Sequence, residues 1–226
     1  MIRVFIGFDP VESVTFHVLS NSIRRLSSMP VAITPVALNN LEGILDRPRH
    51  PLQSNDFSFS RFLVPWLCGY EGWSIFMDCD MLLRDDIAKL WAQRDDRYAV
   101  QCVHHHHVPV ETQKYLGNVQ TRYERKNWSS VMLFNNARCK VLTPEYVNAA
   151  DGLDLHQFKW LADDQIGYLP NTWNHLVGHQ PMNSNAKNVH WTTGGPYFQE
   201  YANCDFQQDW WKEKALMEFV AQKNKP

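Results

Sequence analysis

Hydrophobic runs and segments with a helical period alternate from the first residues of the chain. Residues 2–8 form a β-branched and aromatic run that stops at Asp9 and Pro10, which is typical of a buried strand that leads into a loop. Apolar residues then recur at helical spacing over residues 11–27, and residues 31–38 have the pattern of a second strand. This stretch therefore predicts a strand, helix, strand unit whose first strand ends on a carboxylate.

The alternation continues as far as residue 103. Residues 57–70 are predicted to form a helix in spite of Pro65, and residues 73–77 a strand. Residues 85–93 suit a helix with two aspartates in its first turn, where negative charge meets the helix dipole, and residues 98–103 form another strand. Alternation of this kind predicts an α/β fold with a mostly parallel central sheet.

The second half of the chain is less regular. Residues 104–126 are polar and loop-like, residues 130–134 form a short strand, and a helix begins near Thr143. Residues 210–222 have the pattern of a closing amphipathic helix. Because there is no internal repeat and no low-complexity linker, we expect residues 1–226 to form one domain with an irregular C-terminal half.

The composition excludes several classes of protein. The 226 residues carry 22 Lys and Arg against 24 Asp and Glu, so the basic surface of a nucleic-acid-binding protein is missing. The most apolar long stretch, residues 57–77, contains Arg61 and Glu71, whose charges are costly inside a membrane, and no signal peptide is evident. The five cysteines are scattered and form no CxxC pair, which is typical of reduced thiols. We therefore expect a cytoplasmic globular protein with no transmembrane segment and no nucleic-acid partner.

Two aspartates, Asp78 and Asp80, lie directly after the strand at residues 73–77 and inside an apolar stretch. In an extended segment residues i and i+2 project to the same side, so both carboxylates can bind one divalent cation that offsets their repulsion. Such a cation commonly also binds phosphate oxygens, which suggests a nucleotide or diphosphate ligand. A solvated loop with two acids explains an isolated pair equally well.

Seven segments of the chain together form an ordered set of motifs. They are residues 58–65, 73–80, 87–91, 127–136, 163–165, 169–174 and 188–196. In this order they resemble retaining glycosyltransferases of the family 8 type and their bacterial relatives. The resemblance implies a GT-A fold, which is a Rossmann-like sheet flanked by helices, with a nucleotide-binding half at residues 1–103 and a sugar and acceptor half at residues 104–226.

The resemblance implies a metal site made of Asp78, Asp80 and His190, with Asp78 also near the donor. An imidazole beside two carboxylates favours Mn²⁺ over Mg²⁺, which prefers oxygen ligands. Gly194 and Gly195 would let backbone N–H groups approach the phosphates. Taken alone, a histidine at position 190 is more commonly a loop residue packed beside a tryptophan.

Donor contacts are expected on the N-terminal half as well. Many family members carry a lysine before a Pro-Trp pair in the segment after the histidine, and this chain has Gly195 before Pro196 there. The resemblance therefore assigns phosphate binding to Arg61, whose guanidinium can fork across two oxygens, with a helix-surface arginine as the alternative. Asp9 matches the position that holds the base or ribose and Gly7 permits close approach, although Asp9 can equally be a turn residue before a proline.

The resemblance places the sugar-binding groups in the second half of the chain. Asp163, Asp164 and Gln165 match a segment beneath the donor sugar, where a carboxylate or amide holds sugar hydroxyls and stabilises positive charge, and Asp164 is the favoured catalytic residue. The alternative is that the two aspartates cap a short helix. Asn127 and Ser129 match a sugar-contacting segment.

The expected function is metal-dependent transfer of a sugar from a nucleotide-diphosphate sugar, with UDP as the family's prevailing carrier, to a glycan or glycolipid acceptor. The resemblance further implies retention at the anomeric carbon and a role in surface polysaccharide biosynthesis. A nucleotidyltransferase and a noncatalytic nucleotide-sugar binding module are the alternatives. Residues 104–107, four histidines, suggest a loop near the acceptor or phosphate. The residues Trp210, Trp211, Lys212, Lys214 and Lys223 suggest either peripheral contact with the inner membrane face or a helix packed on the domain.

Overall fold

A six-stranded sheet forms the centre of the computed structural model, which describes residues 1–49, 53–106, 116 and 123–219. Its strands are β1 (Ile2–Gly7), β2 (Val31–Val36), β3 (Trp73–Met77), β5 (Val100–Cys102), β6 (Val131–Asn135) and β7 (Ile166–Tyr168). The strand order is β2-β1-β3-β6-β5-β7, and every strand of this sheet except β6 points the same way. The predicted α/β fold with a mostly parallel sheet is therefore confirmed.

The first strand, helix, strand unit forms as predicted. Helix α1 (Ser13–Leu26) follows a 3-10 helix at Pro10–Glu12 and connects β1 to β2, which pair in parallel. The residues of α1 that face the protein, including Val18, Leu19 and Ile23, are fully buried. Burial of one helix stripe against the sheet is the physical basis of the helical period seen in the sequence.

The helix predicted over residues 57–70 is much shorter than expected. It consists of a 3-10 helix at Ser60–Leu63 and the four-residue helix α2 (Val64–Leu67). Pro65 lies in the first turn of α2, where its missing N–H costs nothing, and it prevents one continuous helix because it cannot donate to the preceding turn. The prediction was right about helical character and wrong about extent.

The remaining helices are also short, apart from the last one. Helix α3 (Ile87–Trp91) is shorter than the helix predicted over residues 85–93, and Asp86 is its N-cap rather than part of its first turn. Helix α4 (Pro144–Ala149) begins where predicted, with Thr143 as its N-cap. Helix α5 (Gly152–His156) was not predicted. Helix α6 (Gln207–Met217) begins three residues earlier than expected, and the predicted end at residue 222 lies outside the described residues.

Helix α6 packs on the domain through one face. Trp210 is buried beside Tyr197, and Glu213 is buried and forms an ion pair with Arg25 on α1. Trp211 is 44% exposed and Lys212 is also exposed, whereas Lys223 lies outside the described residues. Helix packing therefore explains Trp210. Among the described residues the longest helix, α1, has 14 residues, and no helix combines the length and apolar character of a membrane span.

A second, three-stranded sheet, which the sequence analysis did not predict, positions residues from the C-terminal part of the chain. It consists of β4 (Met81–Leu83), β8 (His175–Leu176) and β9 (Asn188–His190) in the order β4-β9-β8. Strands β4 and β9 are antiparallel, with Met81 opposite His190. Because β4 comes directly after Asp80, this pairing carries a residue from the last fifth of the chain to the carboxyl end of β3.

Candidate metal centre

Asp78, Asp80 and His190 lie together at the carboxyl end of β3, and we call these three residues the metal group or metal centre. His190 Nε2 is 3.2 Å from Asp80 Oδ1 and 4.0 Å from Asp78 Oδ2, and one ligand atom from each residue lies within 4.8 Å of the other two. All three residues are buried, with His190 only 1% exposed. Two carboxylates so close together repel each other in a low-dielectric interior unless positive charge lies near them.

Backbone hydrogen bonds hold both aspartates in place. The Asp78 N–H donates to the carbonyl of Ser130, at the start of β6, over 3.0 Å. The Trp191 N–H donates to the carbonyl of Asp80, also over 3.0 Å, which extends the pairing of β4 and β9 by one step. Three distant parts of the chain therefore fix the geometry of the group.

The buried side chain of Asn174 orients the imidazole of His190. Its Nδ2 donates to Ser130 Oγ over 2.8 Å, so its Oδ1 faces His190 Nδ1, 3.0 Å away. A carbonyl oxygen can only accept a hydrogen bond, so Nδ1 carries a proton, and Nε2 is the ring nitrogen that faces the aspartates and can bind a metal. The donor set of two carboxylates and one imidazole nitrogen therefore fits a divalent cation such as Mn²⁺.

Replacing Asn174 by alanine is expected to weaken Mn²⁺ binding by about 10- to 100-fold, the usual effect of removing a residue that orients a metal ligand. The imidazole would lose the partner that fixes its ring and tautomer, while Asp78 and Asp80 would remain. Isothermal titration with Mn²⁺ measures the effect. His190→Ala should weaken binding at least as much, and an Asn174→Ala protein with wild-type affinity would contradict the orienting role.

Arg61 contacts the metal group directly and is not a surface arginine. It is only 4% exposed, and its Nη1 lies 2.7 Å from Asp78 Oδ1 and donates to the carbonyl of Ser129 over 2.9 Å. Its Nε donates to the Phe57 carbonyl over 3.3 Å. The guanidinium therefore offsets the charge of Asp78, and its contact with phosphate remains a prediction.

Asp9 and Gly7 both have structural partners in the protein. The Asp9 carboxylate accepts hydrogen bonds from the backbone N–H groups of Val11, over 3.0 Å, and Asp56, over 3.1 Å. A Cβ atom at Gly7 would come within 2.3 Å of the Phe57 ring. Close packing against Phe57 therefore explains the glycine, and Asp9 caps the turn, while the predicted contacts of both residues with the nucleoside stay predictions.

The loop after β9 packs tightly through its two glycines. A Cβ atom at Gly194, which has a φ of +149°, would come within 2.5 Å of the Tyr201 ring, and one at Gly195 within 2.4 Å of the Tyr197 ring. The Tyr197 hydroxyl donates to Glu12 Oε2 over 2.9 Å. Burial, followed by the charges of Glu12 and Asp80, raises the pKa of Tyr197 well above its usual range. The loop is therefore anchored beside the metal group.

Asn127 and Ser129 border the same region. Asn127 adopts a left-handed conformation with a φ of 64°, and the Thr192 hydroxyl lies 3.4 Å from its Oδ1. Ser129 Oγ is 2.7 Å from His156 Nδ1 on α5. A buried atom, Asn127 Nδ2, has no hydrogen-bond partner among the described residues. Such an atom is costly unless a ligand group satisfies it.

Asp163, Asp164 and Gln165 lie in a 3-10 helix directly before β7. Because β7 and β3 point the same way, this segment leads into the amino end of its strand, whereas Asp78 follows the carboxyl end of β3. Asp163 forms an ion pair with Arg125, and Gln165 Oε1 accepts from the Ala162 N–H as part of a helix cap. Among the described residues, no hydrogen bond joins this segment to the metal group, and the roles of its residues at the donor sugar stay predictions.

Four residues near the site were missed by the sequence analysis: Glu12, Tyr123, Lys126 and His156. Glu12 and Lys126 are buried although both are normally charged. Burial raises the pKa of Tyr123 to about 12, with Arg61 acting to lower it and Asp78 to raise it, so Tyr123 lies near that ion pair. No local pattern marks any of the four, because the residues that surround them come from other parts of the chain.

Sequence identity to a curated protein shows which family the chain belongs to. The chain is 45% identical to Protein CDI of Arabidopsis thaliana over 220 residues, which cover 93% of this chain and 85% of the relative. The chain belongs to the CDI family. No family model matches the chain. Because this CDI relative is a plant protein, the relationship to bacterial family 8 enzymes remains a prediction.

Solved structures similar to this CDI-family chain are glycosyltransferases. It resembles the galactosyltransferase LgtC, solved with donor and acceptor sugar analogs, with a TM-score of 0.62 and 10% identity over 98% of both chains. It also resembles the bifunctional glycosyltransferase WbbM (TM-score 0.65, 14% identity, 95% of this chain) and GlyE of Streptococcus pneumoniae (0.61, 15%, 94%). This chain spans 49% of WbbM and 60% of GlyE. At these identities the likeness shows the fold alone, which is the GT-A glycosyltransferase fold.

Proposed function

We propose that this protein is a metal-dependent glycosyltransferase that moves a sugar from a nucleotide-diphosphate sugar to a glycan or glycolipid acceptor. The observation that carries the proposal is the buried group of Asp78, Asp80 and His190 at the carboxyl edge of a GT-A sheet. Ligands of open α/β sheets bind outside this edge. A buried pair of acids with an oriented imidazole suits a cation and a diphosphate better than it suits a structural core.

Donor binding is proposed to use both halves of the chain, with the nucleotide on residues 1–103 and the sugar and acceptor on residues 104–226. Asp78, Asp80 and His190 would hold Mn²⁺ or Mg²⁺, which would neutralise charge that develops on the diphosphate as the bond to the sugar breaks. Arg61 pairs with Asp78 and holds it in place, and Asn174 holds the imidazole in the orientation that presents Nε2 to the aspartates.

Other chain groups are proposed to hold the sugar. The unsatisfied Asn127 Nδ2 and the hydroxyl of Ser129, fixed by His156, are suited to sugar hydroxyls. The backbone N–H of Gly195 is proposed to face the phosphates, whereas that of Gly194 donates to the Trp191 carbonyl over 2.9 Å. Within the resemblance, Asp164 is the carboxylate proposed for the donor sugar, with Asp163 and Gln165 beside it.

UDP is the proposed carrier, retention the proposed stereochemistry and surface polysaccharide synthesis the proposed pathway, all from the resemblance to family 8. We place the protein in the cytoplasm, with Trp211 and Lys212 available for contact with a membrane that carries a lipid-linked acceptor. These exposed side chains have the mixed aromatic and basic character of interfacial surfaces.

Isothermal titration with uridine and guanosine di- and triphosphates, with and without Mn²⁺, tests the proposal. We expect the tightest binding for UDP and a loss of binding without metal. A preference for a triphosphate would favour a nucleotidyltransferase. Metal-dependent UDP binding with neither hydrolysis nor transfer of any UDP-sugar would favour a noncatalytic binding module.

A further inference from the structure

Three aromatic rings from separate segments contact one another at the carboxyl edge of the main sheet. The His104 ring lies flat on the Trp128 ring, with centroids 3.9 Å apart and planes 5° from parallel. The Tyr168 ring meets His104 edge-on at 5.8 Å. The Trp128 indole N–H donates to the His105 carbonyl over 2.9 Å, which fixes the stack to the backbone. We call these three residues the aromatic platform.

The platform reaches the surface through Tyr168, which is 56% exposed although it is the last residue of a core strand. An exposed aromatic ring at a strand end is accessible to a ligand that can stack on it. Burial lowers the pKa of His104, so the imidazole is neutral near pH 7 and the stack is uncharged.

Polar groups border the platform on one side. The Arg125 guanidinium lies 5.2 Å from the centre of the Trp128 ring and pairs with Asp163, whose side chain is 83% exposed. An uncharged aromatic face beside exposed hydrogen-bonding groups suits a sugar ring, which presents a face of C–H bonds and a rim of hydroxyls.

The platform is continuous with the metal centre. Trp128 is followed by Ser129, whose carbonyl accepts from Arg61, and Arg61 pairs with Asp78. In the sheet order β2-β1-β3-β6-β5-β7, the acids follow β3, and the platform lies beyond them at the ends of β5 and β7. The metal centre therefore separates the platform from β1, on whose side the nucleoside is proposed.

We infer that His104, Trp128 and Tyr168 form a subsite for a sugar ring of the acceptor glycan. The inference rests on the proposed function, because it assigns the nucleoside to the β1 side and thereby leaves the β7 side for the acceptor. Tyr168 provides the exposed stacking face, Trp128 and His104 hold that face in position, and the charged rim meets hydroxyls.

Binding of free disaccharides tests the subsite without transfer activity. Lactose, cellobiose and maltose are titrated into the ¹⁵N-labelled protein, and the Trp128 indole resonance, assigned with Trp128→Phe, is followed. We expect a saturable shift with at least one disaccharide, and about tenfold weaker binding in Tyr168→Ala, the scale of losing one aromatic anchor. Tyr168→Phe retains the ring and should bind nearly as well as the wild type.

Phe219→Ala is the matched control, since it removes another exposed aromatic ring, one that follows α6 and is 75% exposed, and it should leave disaccharide binding unchanged. No shift with any of the three disaccharides, or equal binding by Tyr168→Ala and the wild type, would overturn the subsite. Binding of UDP with Mn²⁺ is measured on the same samples. Its absence in the wild type would count against the proposed function, whereas its loss only in Tyr168→Ala would assign the ring to the nucleoside and overturn the inference.

Discussion

Asp80→Asn is expected to weaken Mn²⁺-dependent binding of UDP by at least about 100-fold, since loss of a ligand should exceed the effect of losing a residue that only orients one. Asparagine keeps the shape of the side chain and removes the negative charge that lies 3.2 Å from His190 Nε2. The Asp80 carbonyl, which accepts from Trp191, is unaffected by the substitution, so β4 and β9 should remain paired.

Titration calorimetry of UDP with and without Mn²⁺ measures the loss, and circular dichroism checks the fold. Asp96→Asn is the matched control, because it removes one negative charge from an exposed aspartate in a loop. If Asp80→Asn bound UDP with wild-type affinity and the same dependence on Mn²⁺, the metal centre would be wrong.

Arg61→Met is expected to lower the free energy of unfolding by about 3 kcal/mol in the absence of divalent cations, because it leaves a buried carboxylate without its partner. Methionine fills much of the volume of the arginine stem, so the loss reports on the ion pair and on the hydrogen bonds to the Ser129 and Phe57 carbonyls rather than on packing. Arg61 and Asp78 are both buried, so little solvent reaches the carboxylate to replace the guanidinium. Urea denaturation monitored by tryptophan fluorescence measures the change.

Mn²⁺ should restore part of this stability, since a cation bound beside Asp78 supplies the missing positive charge and binds only the folded protein. The unfolding midpoint of Arg61→Met is therefore expected to rise more with Mn²⁺ than that of the wild type. Arg97→Ala is the control, because Arg97 pairs with Asp95 at the surface, is 77% exposed, and should have a much smaller effect. Equal losses for the two variants would contradict the role given to Arg61.

The N-terminal half of the fold was predictable because its elements are long enough to show a period. Strand β1 has 6 residues and is buried on both faces, and helix α1 has 14 residues and buries one stripe. Elements of this length show their burial in the hydrophobic pattern of the sequence. Strands β4, β7 and β9 have three residues each, which is too short for alternation to appear. Their positions depend on pairing with distant strands, which one sequence does not display.

Part of the candidate site was also predictable from the sequence. The pair Asp78 and Asp80 was recognisable because charges interrupt an apolar run, and its cluster with His190 followed from the ordered resemblance. Asn174 and Glu12 were not recognised as parts of the site, because their role depends on side chains that lie far away in sequence. Arg61 was assigned to phosphate because local pattern does not reveal its ion pair with Asp78.

The pairing of Met81 with His190 also orders events during synthesis of the chain. A nascent polypeptide that has reached residue 180 carries both acids of the centre but not the imidazole, and β9 has not yet formed beside β4. Chains emerge N-terminal end first, so all three residues can bind one cation only after β9 has been synthesised and has paired with β4. Polypeptides that terminate before β9 would therefore lack the complete set of ligands.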